Sequence, residues 1–189
     1  MAGFVEIELD KETGKFDIVD YVGVVDCGTI INSNIVRGQT EGGICQGIGL
    51  AMYEDVQYDA KGRMMTDSFM QYKIPNRVDV KKIRVEFESS YEPTGPYGAK
   101  SIGEIVINTP GPAIAEAVYN ACGVRVTSLP ITPEKVKMGM MKNELEKQKK
   151  TSFGYRPKIS FVVPLYKTPE KYLRRLTESF QEQTYSNWE

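Results

Sequence analysis

Residues 4–9, Phe-Val-Glu-Ile-Glu-Leu, alternate apolar and acidic side chains. That period of two predicts a strand with one face on a core and one toward water. Asp10 to Lys15, with Gly14, reads as a turn. Residues 16–25, Phe-Asp-Ile-Val-Asp-Tyr-Val-Gly-Val-Val, predict a second strand antiparallel to the first. A polar loop follows through Asp26-Cys27-Gly28-Thr29 and on to Asn34. Residues 37–54 carry five glycines among Ile44, Cys45, Ile48, Leu50, Ala51 and Met52. Each glycine costs an exposed helix about 1 kcal/mol relative to alanine, so the run predicts a helix packed closely on another backbone or a ligand.

Alternation returns over residues 82–90, a further strand. Residues 93–104 are a loop dense in Gly and Pro. Pro110 and Pro112 then open an Ala-rich helix from Ala113 to Ala121, ended by Gly123. Residues 134–150 hold six Lys and three Glu and predict a helix trailing into a solvated linker. The apolar run at 159–165 reads as a buried strand, and Thr168-Pro169-Glu170 as the start of an amphipathic helix with Tyr172, Leu173, Leu176 and Phe180 on one face. No internal repeat is present.

Composition narrows the chemistry. The 189 residues carry 24 basic and 25 acidic side chains, a balance that argues against a broad electrostatic nucleic-acid binder. There is no His. This excludes a Ser-His-Asp triad, a Cys-His pair, a His-ligated zinc and a His base within the chain. Cys27, Cys45 and Cys122 show no CxxC pairing, and an odd number does not suit a disulfide framework. The expectation is a reduced, cytoplasmic setting. No apolar run reaches the length of a bilayer span, and the first residues lack the layout of a signal peptide.

Loop 93–104 is the candidate active site. Its glycines let backbone amides approach an anion closely, and Lys100 and Ser101 add donors. Glu104 precedes Ile105-Val106-Ile107 and is open to two readings: a general base raised in pKa by apolar neighbours, or a solvated side chain in a tight turn. The spacing Gly98-Ala99-Lys100-Ser101 does not fit a phosphate loop. Gln39 opens the Gly-rich helix, either as a donor to a polar ligand or as part of a plain helix start with Glu41. Cys27 and Cys45 read as small buried residues and Met138 to Met141 as helix packing.

Several segments in order resemble one family. Val25-Asp26-Cys27-Gly28-Thr29-Ile30-Ile31-Asn32, Gly38-Gln39-Thr40-Glu41-Gly42-Gly43, Gln46-Gly47, Asp67 to Pro75 and Gly95 to Glu104 are similar to the molybdenum-binding subunit of the xanthine dehydrogenase and aldehyde oxidase family. The resemblance covers residues 1–145. It implies an α/β (α+β) fold, the incomplete second molybdenum cofactor-binding domain. It also implies hydroxylation of a carbon beside nitrogen in a heterocycle such as a purine, or of an aldehyde. Glu104 matches the glutamate that deprotonates the metal hydroxyl, and Gln39 the glutamine that contacts molybdopterin. Lys100, Ser101 and Gly103 lie in the loop lining the cofactor. Ser33 stands where the family usually has Pro after Asn32. Molybdenum–molybdopterin is the implied cofactor. Iron–sulfur and FAD groups belong to other domains or subunits, since three scattered Cys cannot hold the usual clusters. The implied partners are the missing molybdenum-domain half, those iron–sulfur and FAD subunits and a small-molecule substrate.

Residues 157–189 resemble the start of a family-two glycosyltransferase, a β–α fragment of a GT-A-like fold, through Pro157 to Tyr166, Thr168 to Leu173 and Gln183 to Glu189. Lys167 replaces the family's usual Asn, and the acidic metal-binding motif would lie beyond Glu189. Residues 146–156 are expected to link the two pieces. Three readings follow: an oxidoreductase fragment inactive alone, the start of a nucleotide-sugar glycosyltransferase, or a chimeric fragment without activity. With part of its sheet expected to be missing, the first module should expose apolar surface.

Overall fold

The computed structural model describes residues 1–151, Gly154 and residues 169–183. They fall into two units, Met1–Met140 and the residues from Met141 onward, each taken by itself below.

The first unit is mixed α/β, built on a three-stranded sheet. β1 (Ala2–Leu9) and β2 (Phe16–Asp26) form the antiparallel hairpin that the alternation predicts. β3 (Lys82–Glu88) lies parallel to β2 on its other side, giving the order β1-β2-β3. Along β2 the buried positions change parity. Phe16 and Ile18 are buried, Val19 is exposed, and burial resumes at Tyr21 and continues through Val25. A register shift opposite Glu6 and Ile7 causes the change, since one extra residue in a strand moves every later side chain to the other face.

Two helices cover that face. α1 (Ser33–Met52) contributes Ile44, Ile48 and Ala51 to the core, and α3 (Pro110–Cys122) contributes Ile114 and Val118. The loop expected through Asn34 is therefore helical from Ser33. Asn32 is the cap: its Oδ1 accepts from the amides of Asn34 and Ile35, both at 3.1 Å. The glycines of α1 serve two different ends. A methyl group on Gly47 would come within 2.6 Å of the Ile107 carbonyl oxygen and 2.7 Å of Pro110, so α1 lies directly on the backbone just before α3 and on the ring of Pro110. A methyl group on Gly42 would meet nothing within 4 Å.

α2 (Arg77–Val80), a short helix that the periodicity does not announce, is held by a capping box between Asn76 and Asp79. Two 3₁₀ turns, Pro96–Gly98 and Glu104–Val106, lie in and just after the Gly- and Pro-rich loop. As expected, apolar surface is left open: between α1 and α2, Phe69 is 79 % and Met70 82 % exposed.

α4 (Pro133–Lys150) spans the boundary between the units and stays helical through residues 146–150, where a linker was expected. In the second unit α5 (Glu170–Gln181) is the helix anticipated after Pro169, with Leu176 and Phe180 partly buried. Residues 157–168 and 184–189, which carry most of the glycosyltransferase resemblance, lie outside the described residues. Among the described residues no helix is long and apolar enough to cross a membrane.

Candidate functional site

The loop after β3 turns back on the end of β2 and is stitched to it. The Lys100 amide donates to the Cys27 carbonyl at 2.7 Å, and the Thr29 amide to the Gly98 carbonyl at 2.9 Å. Gly28 makes this approach possible. Its φ of +68° suits glycine, and a side chain there would stand 2.9 Å from the Lys100 amide nitrogen.

Side chains reinforce the seam. The Lys100 ammonium lies 2.7 Å from Asp26 Oδ2 and 2.8 Å from Ser90 Oγ. The Ser90 hydroxyl is 2.9 Å from both Asp26 oxygens, and the Gly28 amide donates to Oδ1 at 2.9 Å. The Lys100 hydrogen bond, followed by those from Gly28 and Ser90, holds the Asp26 carboxyl down at about 2.

Beyond Lys100 the chain dips inward at Ile102, which packs on Val25, Cys27 and Val106. Glu104 then opens the turn that ends at Val106. Val106 is fully buried, and α1 seats on it at Gly43, where any side chain would overlap the valine. Gln39 lies one helical turn before Gly43, about 6 Å along the axis. The fold thus brings the loop carrying Lys100, Ser101, Gly103 and Glu104 against the helix carrying Gln39.

All five residues are exposed on this unit. For Glu104 this corrects the expectation of apolar surroundings. Ile105, Val106 and Ile107 join the inner cluster, while the carboxylate faces water. The Lys100 head is engaged with Asp26 and Ser90. Nothing lies within 4 Å of the space a side chain would take at Gly103.

Asp26 and Ser90 were not singled out from the sequence. The local signal for Asp26 is the Asx turn made with Gly28, two residues on. Arg37 was also missed. Its guanidinium donates to the Val85 carbonyl at 3.2 Å and stands over the Phe87 ring, fixing the start of α1 on β3.

A separate open groove of about 430 Å³, lined by Glu41, Cys45, Pro75, Asn76, Arg77 and Lys81 among others, holds none of the five predicted residues. Cys27 is buried and Cys45 half-buried, and burial pushes both thiols up. Among the described residues no group of three or more Cys, Asp or Glu is placed to hold a metal ion.

Residues 1–81 match the family model described as a molybdopterin cofactor-binding domain. The chain is 36 % identical over 136 residues to the probable hypoxanthine oxidase XdhD of Escherichia coli, covering 71 % of this chain and 14 % of that protein. It is 39 % identical over 135 residues to the 6-hydroxypseudooxynicotine dehydrogenase complex subunit gamma of Paenarthrobacter nicotinovorans, covering 70 % and 17 %. Among solved structures, quinoline 2-oxidoreductase from Pseudomonas putida superposes with a TM-score of 0.68 at 35 % identity, over 73 % of this chain and 18 % of that one. The chain spans less than a fifth of the length of each of these three proteins. Residues 1–81 thus match a molybdopterin cofactor-binding domain, in a chain similar over about 70 % of its length to a xanthine dehydrogenase molybdenum-binding subunit and to an aldehyde oxidoreductase.

Proposed function

We propose that Met1–Met140 supplies the base and one wall of the cofactor site in a molybdenum hydroxylase that oxidises an N-heterocycle such as a purine, or an aldehyde. The observation that carries this reading is the seating of the Glu104 loop on α1, which puts the Glu104 turn beside the helix that holds Gln39. The similarity to a probable hypoxanthine oxidase and to aldehyde oxidoreductases supports the substrate class.

The residues present suit molybdopterin. Gln39 offers an exposed amide, Ser101 a hydroxyl and Gly103 a main chain with open space where a side chain would stand. Donors of this kind fit the polar, phosphate-bearing edge of that group. Among the described residues no group of three or more Cys, Asp or Glu is placed to ligate the metal. When bound, molybdenum–molybdopterin supplies the two-electron oxidation. Glu104 would take up the proton released at the reacting oxygen, Gln39 would orient the cofactor, and the backbone of the loop through Lys100, Ser101 and Gly103 would line it. Exposure of Glu104 in this unit leaves its water-excluding walls to the rest of the subunit. The remaining molybdenum-domain half and the iron–sulfur and FAD groups reside in other domains or partner subunits, so the isolated chain does not turn over.

The test is a chimera. Residues 1–140 replace the aligned segment of the aldehyde oxidoreductase molybdenum-binding subunit PaoC of Escherichia coli, which is 33 % identical over 135 residues. Molybdenum per chain and aldehyde oxidation are measured. Gln39→Ala should lower the molybdenum content. Glu104→Gln should keep it and cut turnover by ~10²–10⁴-fold, the usual contribution of a positioned base. A loaded Glu104→Gln chimera within tenfold of its parent refutes the assignment.

A further inference from the structure

We infer that Asp26, Ser90 and Lys100 form a positioning clamp for the Glu104 loop, with the Lys100 ammonium acting on Asp26 and not on the cofactor. The inference rests on the reading of Glu104 as the base and assigns the lysine of that loop a different partner.

The geometry is that of a closed network. Lys100 donates to Asp26 Oδ2 at 2.7 Å and to Ser90 Oγ at 2.8 Å. Ser90 accepts that bond and gives its own proton to Asp26, 2.9 Å away. Asp26 takes a further bond from the Gly28 amide. One carboxylate at the end of β2 therefore gathers the chain just past β3 and the loop that leads to the base. The bonds are charge-assisted, the stronger class of hydrogen bond. The Lys100 and Asp26 side chains are 34 % and 37 % exposed, so water screens the pair only in part.

The clamp has a mechanical consequence for Glu104. Four residues before it, Lys100 is fixed by its side chain and by its amide on Cys27. Two residues after it, Val106 is locked under Gly43 of α1. Ile102 packs inward between the two anchors. Glu104 is carried on a short span held at both ends, so its exposed carboxylate has a set position. An ammonium that holds such a span and already donates two bonds is poorly placed to take a ligand phosphate as well.

Amide hydrogen exchange on the full 189-residue chain tests this. Asp26→Asn and Lys100→Met should each speed exchange at the amides of Thr29 and residue 100 tenfold or more. Amides of β1 and β2 should be unchanged. The double variant should go no more than about twofold beyond the larger single, because both remove the same interaction. Lys100→Arg should stay within threefold of the parent. If Asp26→Asn loses protection throughout the sheet, Ser90→Ala is read in its place, and threefold faster exchange confined to those two amides is expected. Single variants with unchanged loop exchange, or a double equal to the product of the singles, overturn the clamp. So does a Lys100→Met chimera that loses molybdenum while its loop exchange stays at the parent rate. Failure of the Glu104 reading shows differently, as an active Glu104→Gln chimera with the exchange pattern intact.

Discussion

Replacing Gly47 and Gly42 by alanine, one at a time, tests the close-packed reading of α1 most directly. Both sit in the interior of α1 (Ser33–Met52), so helix propensity favours alanine by about 1 kcal/mol at each. The surroundings then separate them. At Gly42 the new methyl group meets nothing within 4 Å, and the propensity gain stands alone. At Gly47 it arrives 2.6 Å from the Ile107 carbonyl oxygen and 2.7 Å from Pro110. Neither obstacle is the end of a flexible side chain. Relief requires moving the start of α3 away from α1, and Ile114 and Val118 of α3 belong to the same core. Overpacking of this kind costs about 1–3 kcal/mol, more where backbone must shift. The net expectation is a loss of up to about 2 kcal/mol for Gly47→Ala and a gain of about 1 kcal/mol for Gly42→Ala. Urea unfolding followed by far-ultraviolet circular dichroism measures both, with the midpoints moving in opposite directions and the slopes unchanged. A Gly47→Ala chain as stable as the Gly42→Ala chain refutes the claim that α1 is close-packed on Ile107 and Pro110 at that point.

Three further outcomes are expected. The folded-state value of about 2 for Asp26 lies below the ordinary unfolded value near 3.9, so the stabilisation from its pairing is complete above about pH 4 and is lost as pH falls through about 2. Protection of the Thr29 and Lys100 amides, corrected for intrinsic exchange, should follow that window, and Asp26→Asn should remove its pH dependence; an unchanged profile in that variant counts against the ion pair. Tyr97 adopts φ 56° and ψ 18° while 84 % exposed, so it bears the left-handed backbone cost with little packing in return. Tyr97→Gly should therefore raise stability by about 0.5–1 kcal/mol in the same unfolding assay, and a loss would mean that the ring makes a contact worth more than the strain. Cys27, 3 % exposed, should be the slowest of the three thiols toward a disulfide reagent under native conditions and should react fully only in denaturant.

The strands were legible because alternation is a local signal, and β1, β2 and β3 all fall where it places them. The parity change at Val19 was not, because the extra residue shows only in pairing with β1. The caps at Asn32 and Asn76 were written in the sequence in the ordinary way, and the two helix starts they govern were still passed over. For the site, the five residues fall on one loop and the helix beside it, but their surroundings differ from what adjacency suggests. Apolar neighbours in sequence do not surround Glu104, because the 3₁₀ turn sends Val106 inward and leaves the carboxylate outside. Lys100 and Asp26 are 74 positions apart, and only the folding of the loop back onto the end of β2 makes them partners.

The glycines of α1 separate what the fold needs from what it leaves unexplained. Gly43 and Gly47 are explained within Met1–Met140, since a side chain at either would strike Val106, Ile107 or Pro110. Gly38 and Gly42 are not. Both face open space, and each costs the helix about 1 kcal/mol relative to alanine. Stability of this unit alone would favour alanine at both. They flank Gln39 and Glu41 in the interior of α1, and Gly103 in the loop is equally open. A helix bare of side chains beside an exposed amide is what close approach of another body requires, whether the cofactor or the rest of the subunit. The two sources separate by experiment. Alanine at Gly42 should stabilise the 189-residue chain and yet, in the chimera, lower molybdenum content if the cofactor passes over that turn. Equal molybdenum with weaker folding of the chimera would assign the open turn to the rest of the subunit.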